Sequence, residues 1–164
     1  MAVKTDLDRD LALRLRIEAL MADYVHCIDE DRLEEWADFF TEDGRYRVTS
    51  RENYELDMPL SLIYCEGRGM FHDRISALRT ANIFEPHTYC HMTGALRILS
   101  SDGKEHRTQS NFTIIRTMSE GAMSVFACGK YIDRIVERDG GLKFRERIIV
   151  LDSRRIDTLL VTPI

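Results

Sequence analysis

The chain has 164 residues, 44% of them hydrophobic and 31% charged, which is enough length and apolar content for one domain with a real core. Its formal net charge of −5 leaves no basic footprint for nucleic acid or an anionic membrane surface. No run approaches the roughly 18 apolar residues of a membrane span, and the charged start is not that of a secretory signal, so a single cytoplasmic domain over residues 1–164 is expected.

Leu13, Ile17, Leu20, Tyr24 and Cys27/Ile28 recur at steps of three and four, which predicts an amphipathic helix over residues 8–29. Leu33, Trp36, Phe39 and Phe40 predict a second, short helix. It should stop at Thr41-Glu42-Asp43-Gly44, where glycine can take a positive φ. Residues 45–50 read as a first strand. Residues 51–59, polar with a closing proline, read as the loop expected to move most. Phe71, Ile75 and Leu78 place a third helix over 66–81.

Four strand-grade runs follow, at 88–99, 106–117, 122–138 and 142–152. Short turns separate them, and Asp139-Gly140-Gly141 is the strongest hairpin signal in the chain. In the first run Cys90, Met92, Gly94, Leu96 and Ile98 alternate with His91, Thr93, Ala95 and Arg97. In the last, Leu142, Phe144, Glu146, Ile148 and Val150 alternate with Lys143, Arg145, Arg147 and Ile149, a period of two. Helices first, then hairpin-linked strands, is the order of an α+β domain with its helices gathered on one side of an antiparallel sheet. Such a sheet can curl into a cone. The apolar tail at 156–164 is expected to dock on something.

Of the five histidines, His87 and His91 are four apart, which on a strand means about 13 Å and no shared metal ion. H-E-x-x-H, G-x-S-x-G, P-loop and Rieske ligand patterns are absent, and Gly67-Arg68-Gly69 lacks a third glycine. Cys27, Cys65, Cys90 and Cys128 are scattered, so they read as buried free thiols. One constellation remains: a cone can gather Tyr24, Asp29, Tyr46, His91 and Asn111 around a cavity, a carboxylate orienting a histidine with tyrosines to hold a carbonyl. Against this, Asp29-Glu30-Asp31 also reads as a cap, and Tyr24 sits on the apolar stripe. Arg134, Arg138, Arg145 and Arg147, interleaved with Glu137 and Glu146, read as cross-strand charge pairs on an exposed face. With Leu159 and Leu160 they are the interface candidates.

The run from Ile28-Asp29-Glu30-Asp31-Arg32-Leu33-Glu34-Glu35-Trp36 into Phe40-Thr41-Glu42-Asp43-Gly44-Arg45-Tyr46 resembles the opening of the small (β) subunits of aromatic-ring-hydroxylating dioxygenases. Asp73-Arg74-Ile75-Ser76-Ala77-Leu78-Arg79 is similar to that family's arginine-bearing helix. Gly129-Lys130-Tyr131-Ile132-Asp133, through Arg145 to Asp152, resembles its final hairpin. The likeness runs from about residue 12 to the end, nearest the terephthalate type, with salicylate hydroxylases as neighbours. It implies the cone fold shared with nuclear transport factor 2, scytalone dehydratase and ketosteroid isomerase. It also implies an α partner that carries the Rieske [2Fe–2S] cluster, the mononuclear iron and the substrate pocket, and a β trimer within an α3β3 hexamer, with no catalytic residue, metal or cofactor on this chain. Beside scytalone dehydratase the chain keeps an aspartate, a tyrosine and one histidine. The region expected to hold a second histidine reads Gln109-Ser110-Asn111, and asparagine cannot shuttle a proton at neutral pH. Two readings stand: a structural oxygenase subunit, or a stand-alone dehydratase or isomerase using the cone cavity.

Overall fold

In a computed structural model the chain is described over residues 2–154 and 160–164, and its side chains from residue 8 onward. Helix α1 (Ala2–Asp29) buries the stripe Ile17, Met21, Tyr24 and Ile28. It ends in a Schellman motif: Arg32 N–H donates to Cys27 O at 2.9 Å and Asp31 N–H to Ile28 O at 3.1 Å, with Asp31 at φ +58° in the place glycine usually takes. The second helix is a 3-10 helix, Leu33–Phe39. Strand β1 (Phe40–Ser50) follows it at once and so starts earlier than the sequence predicts. Gly44 does not adopt positive φ. It sits at a register shift of β1 against the last strand, where a Cβ would come within 2.8 Å of Phe40 Cβ and Thr41 O; close approach, not turn geometry, calls for glycine here.

The expected loop holds a short helix, α2 (Arg51–Glu55), whose N-cap Ser50 accepts from the Asn53 N–H. A four-residue strand that the sequence reading missed, β2 (Ile63–Glu66), precedes α3 (Gly67–Thr80). The four long strands are β3 (His87–Ser101), β4 (Glu105–Met118), β5 (Met123–Arg138) and β6 (Gly141–Leu151). They form one six-stranded sheet in the order β2-β1-β6-β5-β4-β3. Every junction is antiparallel except β1–β6, which is parallel; these two strands are far apart in sequence, so no hairpin constrains their direction. The β5–β6 turn has Asp139 at φ +52° and Gly140 at φ +78°, the two positive values a type I′ hairpin needs.

Irregular strands decide which residues face inward. Ile135 pairs with Phe144 but Arg134 pairs with Glu146, so Arg145 is an extra residue and the alternation of β6 inverts there. Phe144, Arg147, Ile149 and Leu151 are therefore all buried. In β3 the same thing happens around Ala95, at φ +51° between pairs Gly94–Asn111 and Arg97–Gln109. Tyr89 and His91 face inward before it and Leu96 after it, while Met92 is exposed. Cys27 and Cys65 are buried thiols as expected, but Cys90 is exposed, because it occupies the outward phase of β3.

α1 packs on β3 and β6, and α3 on β1, so the helices lie on the sheet's inner side. Trp36 is the hub of the packing. It lies 4.9 Å from Tyr46 and 4.8 Å from Phe71 between ring centroids, and Phe71 lies 4.5 Å from Phe40. Ion pairs pin the helices from outside: Arg16 grips Glu137 of β5 with contacts of 2.6 and 2.8 Å. Arg79 of α3 holds Asp31 and Glu34, and those two carboxylates hold its guanidinium above its ordinary pKa.

Candidate functional site

The cone interior collects groups from nearly every element. α1 contributes Tyr24 and, five residues on, Asp29. β1 contributes Tyr46, β3 His91, β4 Ser110, β5 Tyr131 and Asp133, and β6 Arg147; all but Asp29 are buried. Asp29 and His91 pair with each other. Asp29 Oδ1 lies 2.5 Å from His91 Nδ1, and Oδ2 accepts the His91 main-chain N–H at 2.8 Å. His91 Nε2 is buried without a hydrogen-bond partner among the described residues.

Tyr24 and Tyr46 also come together, though around a group the sequence reading did not include. Both hydroxyls donate to the main-chain oxygen of Ile164, at 3.0 and 3.1 Å. Trp36 Nε1 donates to Tyr24 Oη at 3.3 Å. Burial raises the Tyr24 phenol to about 12, even against the nearby Arg147 charge. Burial raises Tyr46 well above its ordinary value too. Both phenols therefore keep their protons near neutral pH.

Asn111 does not join them. It is exposed on the outer face, and the inward positions beside it are Ser110 and Phe112, because β4 alternates strictly here. The second correction concerns Arg147. It is not on the charged outer face but fully buried, bonded to Asp133 through two contacts of 2.8 Å, with its guanidinium carbon 3.9–4.3 Å from the ring centroids of Phe144, Tyr24 and Tyr131. Burial works against the Arg147 charge, and the Asp133 carboxylate outweighs it, so the guanidinium stays protonated. The bulge at Arg145 is the physical reason. The third correction is Leu160, which is buried by the chain itself alongside Val161 and Ile164; Arg74 Nη2 donates to the main-chain oxygens of Leu160 and Val161 at 2.9 and 3.0 Å. Leu159 lies outside the described residues. Arg134, Arg138 and Arg145 do face outward: Arg134 is bonded to Glu105, Arg145 lies 3.7 Å from Asp43 and Arg138 is exposed.

A cavity of about 360 Å³ opens at the mouth of the cone, lined by Asp29, Arg79, Phe84, His87, Tyr89 and Thr162 among others. His91 is not in its lining. The tyrosine pair that could hold a substrate carbonyl is thus already bonded to the chain's own residue 164. In the region where a second histidine would be expected, Ser110 faces inward and Asn111 outward, and neither titrates near neutral pH. Among the described residues, no three His, Cys, Asp or Glu side chains come together as a metal site would require.

Comparison with known proteins fits this geometry. A model of the SnoaL-like domain matches residues 9–148. The small subunit of anthranilate 1,2-dioxygenase from Burkholderia cepacia is 38% identical over 159 residues, 97% of this chain and 99% of that one. Subunit beta 1 of the terminal oxygenase component of terephthalate 1,2-dioxygenase from Comamonas sp. is 39% identical over 150 residues, 92% of this chain and 97% of that one. A crystal structure assigned to the β subunit of an aromatic-ring-hydroxylating dioxygenase from Novosphingobium aromaticivorans superposes with a TM-score of 0.86 at 34% identity, covering 94% of this chain and 99% of that one. A structure assigned as a scytalone dehydratase from the same organism shares the fold alone, at a TM-score of 0.70 and 22% identity over 90% of this chain and 89% of that one. Likeness to oxygenase small subunits along nearly their whole length makes this protein a member of the aromatic-ring-hydroxylating dioxygenase β-subunit family, built on a SnoaL-like domain.

Proposed function

We propose that this chain does no chemistry of its own and forms the trimeric base of a cytoplasmic α3β3 terminal oxygenase acting on an aromatic carboxylate. The Rieske [2Fe–2S] cluster and the mononuclear iron belong to the α partner in this reading, and supply the oxygen activation there. This chain's part is to hold three α subunits in a fixed relation. The observation that carries the reading is the inward orientation of Tyr24 and Tyr46 onto Ile164, which commits both hydroxyls to bonds within the chain. The substrate class rests on two relatives whose names carry aromatic acids, anthranilate and terephthalate.

The outer sheet face suits subunit contact. Ile132 and Ile148 are paired neighbours there, half-buried, beside Arg134 and Glu146. Next to the β2 edge, Leu56, Leu60 and Leu62 are each more than half exposed. A face mixing apolar side chains with arginine and glutamate is what subunit interfaces use, and a stable contact would bury roughly 1,200–2,000 Å² in total. Among the described residues no helix is long and apolar enough to cross a membrane. Light scattering on the chain purified alone and with its cognate α subunit tests the proposal. A trimer alone and an equimolar hexamer with α are expected; a monomer that ignores α contradicts it.

A further inference from the structure

Two adjoining hollows lie under the first half of α1, far from the Asp29–His91 pair. Asp10 and Asp29 are nineteen residues apart on that helix, about 28 Å along its axis at 1.5 Å per residue. The first hollow, of about 730 Å³, lies between α1, the β3–β4 turn and β5, and its walls include Arg9, Arg16, His106 and Glu137. The second, of about 750 Å³, runs beside the last part of β3 and brings in Leu11, Leu96 and Ile98. Asp10, Leu13 and Ser101 line both.

The polar hollow is built, not incidental. The alternation of β4 turns His106 inward, where it is only 4% exposed. Its Nδ1 lies 2.8 Å from Ser101 Oγ, and its Nε2 has no hydrogen bond among the described residues. The turn beneath is fixed by Asp102, whose Oδ1 accepts the Lys104 and Glu105 N–H groups at 2.8 and 2.7 Å, with Gly103 at φ +83°. Arg16 reaches Glu137 through Nη2 alone, so those two charges cancel while its Nε and Nη1 keep donors in hand. Arg9 is exposed and has no ion pair among the described residues.

We infer that the two hollows form one binding site for a small monocarboxylate with an apolar body. Arg9, the spare N–H groups of Arg16 and His106 Nε2 hold the carboxylate, and the body lies over Leu13 against Leu96 and Ile98. Guanidinium forks match carboxylate geometry, and a carboxylate at Nε2 selects the imidazole tautomer that donates there. Each hollow falls within the roughly 300–1,000 Å³ of small-molecule pockets, which combine an apolar wall with a few convergent polar groups. Asp10 is the acid left over once Arg16 neutralises Glu137, and it disfavours a second negative charge on the ligand. A monoanion therefore fits where a phosphate dianion does not. The inference goes beyond the subunit role and stands or falls independently of it, since neither trimer nor hexamer formation requires this ligand.

Benzoate and octanoate are the probes, one with a flat body and one with a chain. Benzyl alcohol carries the ring without the charge, and acetate the charge without the body. Titrations of the full-length chain are followed by NMR at the Leu13 and Leu96 methyl groups and the His106 ring. At least one probe should shift these signals saturably, with a Kd at or below about 1 mM. Benzoate alone would identify aromatic acids as the ligand source, octanoate alone fatty acids, and both the shared chemistry. Benzyl alcohol, acetate and inorganic phosphate should each bind at least about tenfold more weakly. Arg9→Gln and His106→Gln should each weaken the bound probe by a similar factor. Arg9 is exposed, so Arg9→Gln decides the matter if His106→Gln unfolds the chain. The inference is overturned if neither probe saturates, if Arg9→Gln binds like the parent, or if benzyl alcohol binds as well as benzoate. Shifts centred on Tyr24 and His91 in place of Leu13 and His106 overturn it too.

Discussion

Asp133 and Arg147 face each other across β5 and β6 with both side chains wholly buried. Their paired contacts of 2.8 Å and the aromatic rings against the guanidinium make the pair the polar centre of the core. A buried ion pair is weak evidence of net stabilisation, but breaking one leaves an uncompensated charge. Asp133→Ala should therefore destabilise the chain by about 3–5 kcal/mol. The double change Asp133→Leu/Arg147→Met should recover most of that loss. Urea unfolding of the three proteins measures it, and a single variant as stable as the parent would contradict this account of the core.

The buried tyrosines set an alkaline limit. Burial raises Tyr24 to about 12 and pushes Tyr46 and Tyr131 well above the ordinary phenol value. A phenol that holds its proton more tightly when folded gives its full contribution below the unfolded pKa of about 10. That contribution is lost as pH rises through the folded value. Stability should be flat below pH 10 on this count and fall steeply above it. Tyrosinate absorbance should then appear in two steps, with the buried group ionising only as the circular dichroism collapses. A single step for all six tyrosines in a still-folded chain would be the contrary result.

Trp36 anchors the 3-10 helix to β1 and α3, with no exposed surface. Trp36→Ala should cost roughly 3–5 kcal/mol, read as a lower urea midpoint with an unchanged slope. A variant that melts with the parent would show that the cluster of Tyr46, Phe40 and Phe71 closes over the gap without loss.

Regular periodicity was legible and its interruptions were not. The stripe of α1, the long strands and the Asp139-Gly140 hairpin all follow from local residue choice. The likeness of residues 28–46, 73–79 and 129–152 to oxygenase β subunits pointed to the family that the comparisons show. Strict alternation would put Arg147 on the outer face, but one extra residue, Arg145, inverts the phase of β6; a bulge is set by cross-strand fit, which a single strand's alternation does not record. Asn111 lies outside the cone because β4 turns Ser110 and Phe112 inward, and the strand's own residues do not fix which of its two phases faces the helices. Pairing of Asp29 with His91 across 62 residues came from considering the fold as a whole. Ile164 carried no such signal: its contacts to Tyr24 and Tyr46 span 140 and 118 residues, and an apolar tail says that it docks, not where.

The central claim is that the Asp29–His91 pair and the groups around it build this subunit and leave turnover to its partner. Turnover per assembled complex decides it, measured with the cognate α subunit on an aromatic carboxylate for the parent, Asp29→Ala and His91→Ala. Each change removes a buried hydrogen bond and should lower the thermal midpoint of the β subunit. Rates per intact complex should stay within a few-fold of the parent. A loss of several orders of magnitude from either change, with the hexamer intact by light scattering, would contradict the account and return the cone to the enzymes.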